Sequence, residues 1–267
     1  MKKIKLSVAL ATFNEENNLT DCLNSIKDLA DEIVIVDGGS TDKTVEIAKK
    51  FRAKLIITDN PPIFHINKQK AINVCRGEWI LQLDADERVT LELKKEIKRI
   101  IKNSPHDVVA YFIPRKNFFL GRWLRKTGQY PDGVIRFFKK GKAYLPCKSV
   151  HEQMEVKGKV DWLKSHLLHY PYSSFSEYLK KSNRYTSLTA QELLKNGEKP
   201  SIFGYLKAEW QAIKTFLLLF IRHKGFLDGF PGFVFSLYSG FHHITAYVKF
   251  WELYNEKRRI DIKKDWE

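Results

Sequence analysis

The N-terminal part of the chain switches between two hydrophobic periods in an order that leaves few folds open. "IKLSVALAT" (4–12) is an apolar run of strand length, and "EENNLTDCLNSIKDL" (15–29) carries apolar residues at helical spacing. "DEIVIVD" (31–37) is a second strand, followed by "GGSTDKTVEIAKKF", a helical stretch that Ser40 or Thr41 is placed to cap. "AKLIIT" (53–58) is a third strand, "NKQKAINVC" (67–75) a helix, and "EWILQLD" (78–84) a fourth strand. Such alternation predicts an α/β chain with a mainly parallel sheet and flanking helices. Sheets of that kind bind ligands at the carboxyl ends of their strands. That rule gathers Thr12–Glu15, Asp37–Ser40 and Asp84–Glu87 on one rim.

The pattern changes near residue 105. "DVVAYFIPRKNFF" and "GVIRFFKKGKAYL" read as strands, the second with a hairpin turn at its Lys-Gly step. "SFSEYLKKSNRYTSLTAQELLKNG" (174–197) is a helix that ends near Gly197. Residues 201–253 are dense in aromatics and leucine, with lysine and arginine between them. "AIKTFLLLFIRH" is too short to span a bilayer. "GFPGFVFSLYSGFHHITAYV" is longer, but Pro231, its glycines and its His pair make it a poor spanning helix. A segment of this kind suits the membrane interface, or packs as core or as a dimer contact. Three segments are therefore expected: 1–104 and 105–200 as the two halves of one domain, and 201–267 as a C-terminal amphipathic helical region.

The 267 residues carry a formal net charge of +15, which points to polyanionic partners: nucleic acid, anionic lipid or phosphorylated substrates. A soluble protein with a lysine-rich surface is the plainer account. An apolar fraction of 43% excludes global disorder. Cys22, Cys75 and Cys147 lie far apart without CxxC spacing, which argues against a disulfide framework or a zinc site and fits a reducing compartment. Met1-Lys-Lys leads straight into a strand pattern with no signal-peptide core, so a cytosolic location is expected.

Each strand end on the rim offers a polar set that suits part of a nucleotide-sugar. Asp37, after "IVIV" and before "GGST", can accept hydrogen bonds from a ribose or a base, or can simply end a strand in an Asp-Gly turn. In "TFNEE", Thr12, Asn14 and Glu15 can meet a base or ribose, while Asn14 can equally cap a helix. Asp84 and Asp86 are two positions apart, so in an extended segment their side chains share a side. Two hard oxygen ligands there suit Mg²⁺ or Mn²⁺, which keep waters and take diphosphate oxygens as further ligands. Lys68 and Lys70 either add to that charge or lie on a solvated face.

"VALATFNEENNL", "EIVIVDGGSTDKTVEIA" and "NKQKAINVCRGEWILQLDADE" together resemble the successive motifs of the family 2 glycosyltransferases, which have the GT-A fold. "VIRFFKKGKAYLPCKSVHEQM", "HLLHYPY", "KKSNRYTSLTA" and "HKGFLDGFPGF" extend the resemblance to the branch that builds lipopolysaccharide core. The resemblance implies a GT-A, Rossmann-like sheet in which Thr12, Asn14 and Glu15 line the nucleotide pocket. It implies that Asp37 holds the base or ribose, with Lys68 near the uracil or diphosphate. Asp84 and Asp86 would form the DxD element, with Asp86 the more direct metal ligand and His169 completing the metal shell. The family's usual Glu-Asp pair is missing, so the base is expected at Glu152 in "SVHEQM", with Asp132 in "QYPDG" as second choice and His151 orienting the acceptor. The QxxRW motif of processive synthases is absent, which favours transfer of a single sugar.

The expectation is thus an inverting, Mg²⁺- or Mn²⁺-dependent hexosyltransferase. Its donor would be a nucleotide-diphospho-sugar such as UDP-glucose, and its acceptor a saccharide or lipid-linked glycan. It would work as a peripheral protein on the cytoplasmic face of an anionic membrane. A sugar nucleotidyltransferase would need a glycine-rich loop after the first strand, and "ATFNEENN" has no glycine. A non-catalytic basic protein that binds membrane or nucleic acid is the remaining alternative. No RNP, zinc-finger or basic-zipper pattern supports nucleic acid as the partner.

Overall fold

A computed structural model describes residues 4–103, 107–148 and 153–256. The chain divides into two compact units, Met1–Lys116 with Pro131–His169, and Asn117–Tyr130 with Tyr170–Glu267. These units do not follow the contiguous boundaries expected at 104 and 200. The first unit continues past residue 104 through most of β6 (Val108–Phe119), whose end belongs to the second unit, and the helices after residue 170 join the region beyond 201.

In the first unit the expected alternation is present. The elements are β1 (Leu6–Thr12), α1 (Glu16–Ile26), β2 (Glu32–Asp37), α2 (Thr44–Lys50), β3 (Lys54–Ile57), α3 (His65–Val74) and β4 (Trp79–Leu83). β5 (Glu87–Val89), α4 (Leu91–Asn103), β8 (Asp132–Lys139), β11 (Lys159–Trp162) and β12 (Leu167–His169) follow, with β6 between α4 and β8. The main sheet runs β3-β2-β1-β4-β8-β6-β12-β5. Its β3-β2-β1-β4 half is parallel, and β8 joins β4 and β6 antiparallel.

Side-chain alternation sends β1 into two cores at once. Leu6, Val8 and Leu10 pack with Leu19, Leu23 and Ile26 of α1 and with Leu93 and Ile97 of α4. Ala9, on the opposite face, meets Ala71 and Ile72 of α3 with Ile80 and Phe138. Each fully buried leucine or isoleucine contributes roughly 1.5–3 kcal/mol, so the parallel half of the sheet is a stiff platform. Trp79 stacks on Phe137 at 4.6 Å and ties β4 to β8. Register then sets the rim. Thr12 lies opposite Asp37, and Leu10 lies opposite Leu83, so β1, β2 and β4 end side by side.

Two local expectations differ from the structure. α2 starts at Thr44, not at Ser40 or Thr41, because the Ser40 hydroxyl turns back to Asp37 and Asp42 accepts the Thr44 N–H. The Lys-Gly turn after β8 forms, with Gly141 at φ +76. The strand that follows it, β9 (Ala143–Tyr144), pairs with β10 (Glu155–Val156) in a separate small sheet and does not fold back on β8.

The second unit contains β7 (Arg122–Trp123), paired with the end of β6, and three long helices. α5 (Phe175–Lys195) is capped by Ser174, whose hydroxyl accepts the Glu177 N–H, and the chain leaves it through Gly197 at φ +75. α6 (Ile202–Leu217) is capped by Ser201 and runs through a π-helical turn and a 3₁₀ turn to α7 (Gly229–Glu256). Pro231 sits in the first turn of α7, where a missing N–H costs no intrahelical bond. Asp228, almost fully buried, accepts the N–H groups of Arg125 and Lys126 and the Thr127 hydroxyl, which anchors the 117–130 segment. No helix among the described residues is long and apolar enough to cross a membrane.

Candidate active site

The carboxyl ends of β1 and β2 are laced together. Thr12 Oγ1 donates to Asp37 Oδ2 at 2.8 Å, and Ser40 donates to the same oxygen at 2.7 Å. Asp37 Oδ1 accepts the N–H groups of Gly39 and Ser40 at 3.1 and 2.8 Å. This carboxylate is buried and ends its strand in a fully bonded turn. Asn14 adopts the left-handed conformation at φ +53, which asparagine tolerates better than most residues. There its Oδ1 accepts the Thr41 N–H at 2.9 Å and its own N–H donates to Ser40 Oγ at 2.8 Å. Glu15, just before α1, donates its N–H to Thr44 Oγ1 and accepts from Asn18 Nδ2 at 2.9 Å. Asn14 therefore joins two loops and does not cap α1, which has no side-chain cap.

The carboxyl end of β4 is organised by charge. Asp84 Oδ1 meets Lys68 Nζ and accepts from Gln82 Nε2 at 3.1 Å, while its Oδ2 takes the Arg136 guanidinium. Glu87 is fully buried, accepts from Arg136 and Arg115 at Oε1, and accepts the Asp84 N–H at Oε2. Arg115 continues the chain of charges to Asp132 Oδ2 through Nε at 3.0 Å and Nη2 at 2.7 Å. One network thus runs Lys68–Asp84–Arg136–Glu87–Arg115–Asp132. Desolvation works against ionised Asp84, but Arg136 and Lys68 overcome it and hold its carboxyl well below the ordinary carboxylate range. Beneath the turn, the Cys22 thiol donates to the Asp84 carbonyl at 3.5 Å, and burial pushes that thiol far up.

Asp86 points elsewhere. Its Oδ2 lies 3.5 Å from Nε2 of His169, the last residue of β12. β12 pairs with β5 so that His169 is opposite Glu87, and this register delivers the imidazole to the acidic turn. Among the described residues no group of three or more His, Cys, Asp and Glu side chains is arranged to hold a metal ion. A carboxylate beside an imidazole nevertheless fits a cation that draws its other ligands from phosphate and water. Asp84, with each oxygen turned to a cation, is placed to orient the turn. Lys70 Nζ donates to Thr58 Oγ1 at 3.1 Å, away from Asp84's partners. Glu152 and His151 lie outside the described residues.

The sequence model of glycosyl transferase family 2 matches residues 7–155, more than half of the chain. The chain belongs to glycosyl transferase family 2. This transferase is 31% identical to an uncharacterised glycosyltransferase of Rickettsia typhi, over 96% of this chain and 90% of the relative. It is 26% identical to the lipopolysaccharide core biosynthesis glycosyltransferase LpsC of Rhizobium meliloti, over 97% of both chains. A mannosyltransferase from Pyrobaculum calidifontis, solved with GDP-Man and Mn²⁺, shares the fold at a TM-score of 0.53 with 13% identity, over 94% of this chain and 88% of its own.

Arg136, Arg115 and Gln82, which hold the acidic turn of the transferase, escape the sequence reading. A signal existed: "VIRFF" puts an arginine inside an apolar strand, where a charge needs a buried partner.

Proposed function

We propose that the transferase moves one hexose from a UDP-sugar, such as UDP-glucose, to a saccharide carried at a membrane, in a single inverting step. The observation that carries this reading is the Asp86–His169 pair beside a charge-balanced Asp84. Asp86 and His169 would hold Mg²⁺ or Mn²⁺, and the ion would neutralise charge on the departing nucleoside diphosphate. The chain's own residues do the rest. The loops bound together by Thr12, Asn14, Glu15 and Asp37 shape the nucleotide pocket, and Lys68 and Arg136 keep Asp84 ionised and fixed.

In the transfer, an acceptor hydroxyl oxygen bonds to the anomeric carbon as the bond from that carbon to the diphosphate oxygen breaks. A carboxylate on the acceptor side takes the hydroxyl proton, and the diphosphate leaves with the bonding pair. One such carboxylate suffices for inversion. Glu152 is the first candidate for it and Asp132, oriented by Arg115, the second. The relative named for lipopolysaccharide core biosynthesis supports a glycan acceptor.

The test is calorimetric titration of UDP, GDP, CDP and dTDP, with and without Mn²⁺, into the wild type and Asp86→Asn. Metal-dependent binding of UDP that the variant loses is the expected result. Binding of GDP in place of UDP would change the donor, and binding of no nucleotide with metal would sink the reading.

A further inference from the structure

α6 is built inside out. Six large apolar side chains face solvent along it, at 48–80% exposure: Ile202, Phe203, Leu206, Trp210, Ile213 and Leu217. At 100° per residue they fall within an arc of about 100° along a helix about 24 Å long. On the side turned to α7, small residues allow close approach beside the aromatic contacts Tyr205–Tyr247 and Phe216–Phe233. A Cβ on Gly204 would meet the Tyr247 hydroxyl at 2.5 Å, and one on Gly240 of α7 would meet the Ala212 carbonyl oxygen at 2.6 Å. Tyr247 also accepts the Ser201 N–H and donates to the Ser201 carbonyl, which pins the start of α6. These close approaches fix the rotation of the helix, so the apolar stripe has no way to turn inward. A helix of a water-soluble fold presents the opposite polarity.

We propose that this stripe of α6 lies flat on an anionic lipid bilayer, with its apolar side chains in the interface. From Lys199 to Lys224 the chain carries Lys199, Lys207, Lys214, Arg222 and Lys224 against one acid, Glu209. Lys207 and Lys214 border the stripe, where their stems follow the apolar face and their ammonium groups reach lipid phosphates. Trp210, mid-stripe, has the ring type that favours the boundary between headgroups and acyl chains. A second copy would bring the same cationic excess to the contact, whereas anionic headgroups complement it. The inference gives a surface to the membrane-held acceptor proposed above and rests on that reading for its purpose, not for its test.

The test is flotation of the full chain with phosphatidylcholine vesicles, with and without phosphatidylglycerol, for the wild type, Leu206→Ser/Trp210→Ser and Lys207→Gln/Lys214→Gln. Both pairs point away from α7, and UDP titration with Mn²⁺ checks that the first unit is intact in each variant. Expected is wild-type binding to anionic vesicles that weakens with salt, falls at least tenfold in the serine variant, and falls severalfold in the glutamine variant on anionic vesicles alone. Undiminished binding of the serine variant overturns the proposal. So does a wild-type dimer that ignores vesicles and that the serine variant splits, since a second copy would then cover the stripe. Vesicle binding without nucleotide binding would remove the sugar-transfer reading and leave the docking face standing.

Discussion

Arg136 stands in β8 between apolar neighbours and faces two carboxylates, Asp84 and Glu87. Arg136→Met removes the cation and leaves both acids in a site of low polarity. The expected loss is about 3–5 kcal/mol of stability, read as a lower urea midpoint, because a buried charge without its partner is the costly case. Asp84 gives a pH signature. Its folded-state value is depressed, so it stabilises the fold fully above the unfolded value near 4, and that stabilisation is lost as pH falls below it. Lys68→Met lessens the depression, so stability should fall less steeply between about pH 4 and pH 2 than in the wild type. Parallel acid profiles would show that Lys68 does not act on Asp84. At this scale the acids were legible in the sequence and their partners were not. Asp37, Asp84 and Asp86 announce themselves as polar groups ending apolar strands, whereas Arg115 and Arg136 matter only through strand pairing that brings distant segments together.

Among the elements, α7 is held by its histidines as well as by its glycine. His242 Nε2 meets Thr189 Oγ1 of α5 at 3.3 Å, and His243 Nε2 meets Thr215 Oγ1 of α6 at 3.0 Å. Burial, then His243 and Lys249, push His242 down, and burial pushes His243 down. A folded-state value below the unfolded one means stability is full above about pH 6.5 and is lost as pH falls through that range. His242→Gln/His243→Gln should flatten this limb in helix melting followed by circular dichroism between pH 7 and pH 5. The helices and parallel strands of the chain were readable because their periodicity is local. The start of α2 and the partner of β9 were not, since each is decided by hydrogen bonds from elsewhere: Asp37 draws Ser40 away, and β10 takes the strand that a hairpin would have used.

For the molecule as a whole, ligand binding and stability are linked. UDP with Mn²⁺ at a hundred times its Kd should stabilise the transferase by about 2.7 kcal/mol, seen as a rise in Tm that Asp86→Asn abolishes. The connectivity sets a schedule as well. The 117–130 segment is made early, but the Asp228 carboxylate that binds Thr127 lies 101 residues further on. At about 5–20 residues per second, a ribosome delivers that anchor roughly 5–20 seconds after the segment itself. In the later part of that interval β12 and His169 are already synthesised while the Arg125–Thr127 turn still waits for its acceptor. The rim at the carboxyl ends of β1, β2 and β4 can thus be in place on the nascent chain before the carboxylate that anchors the 117–130 segment has been made.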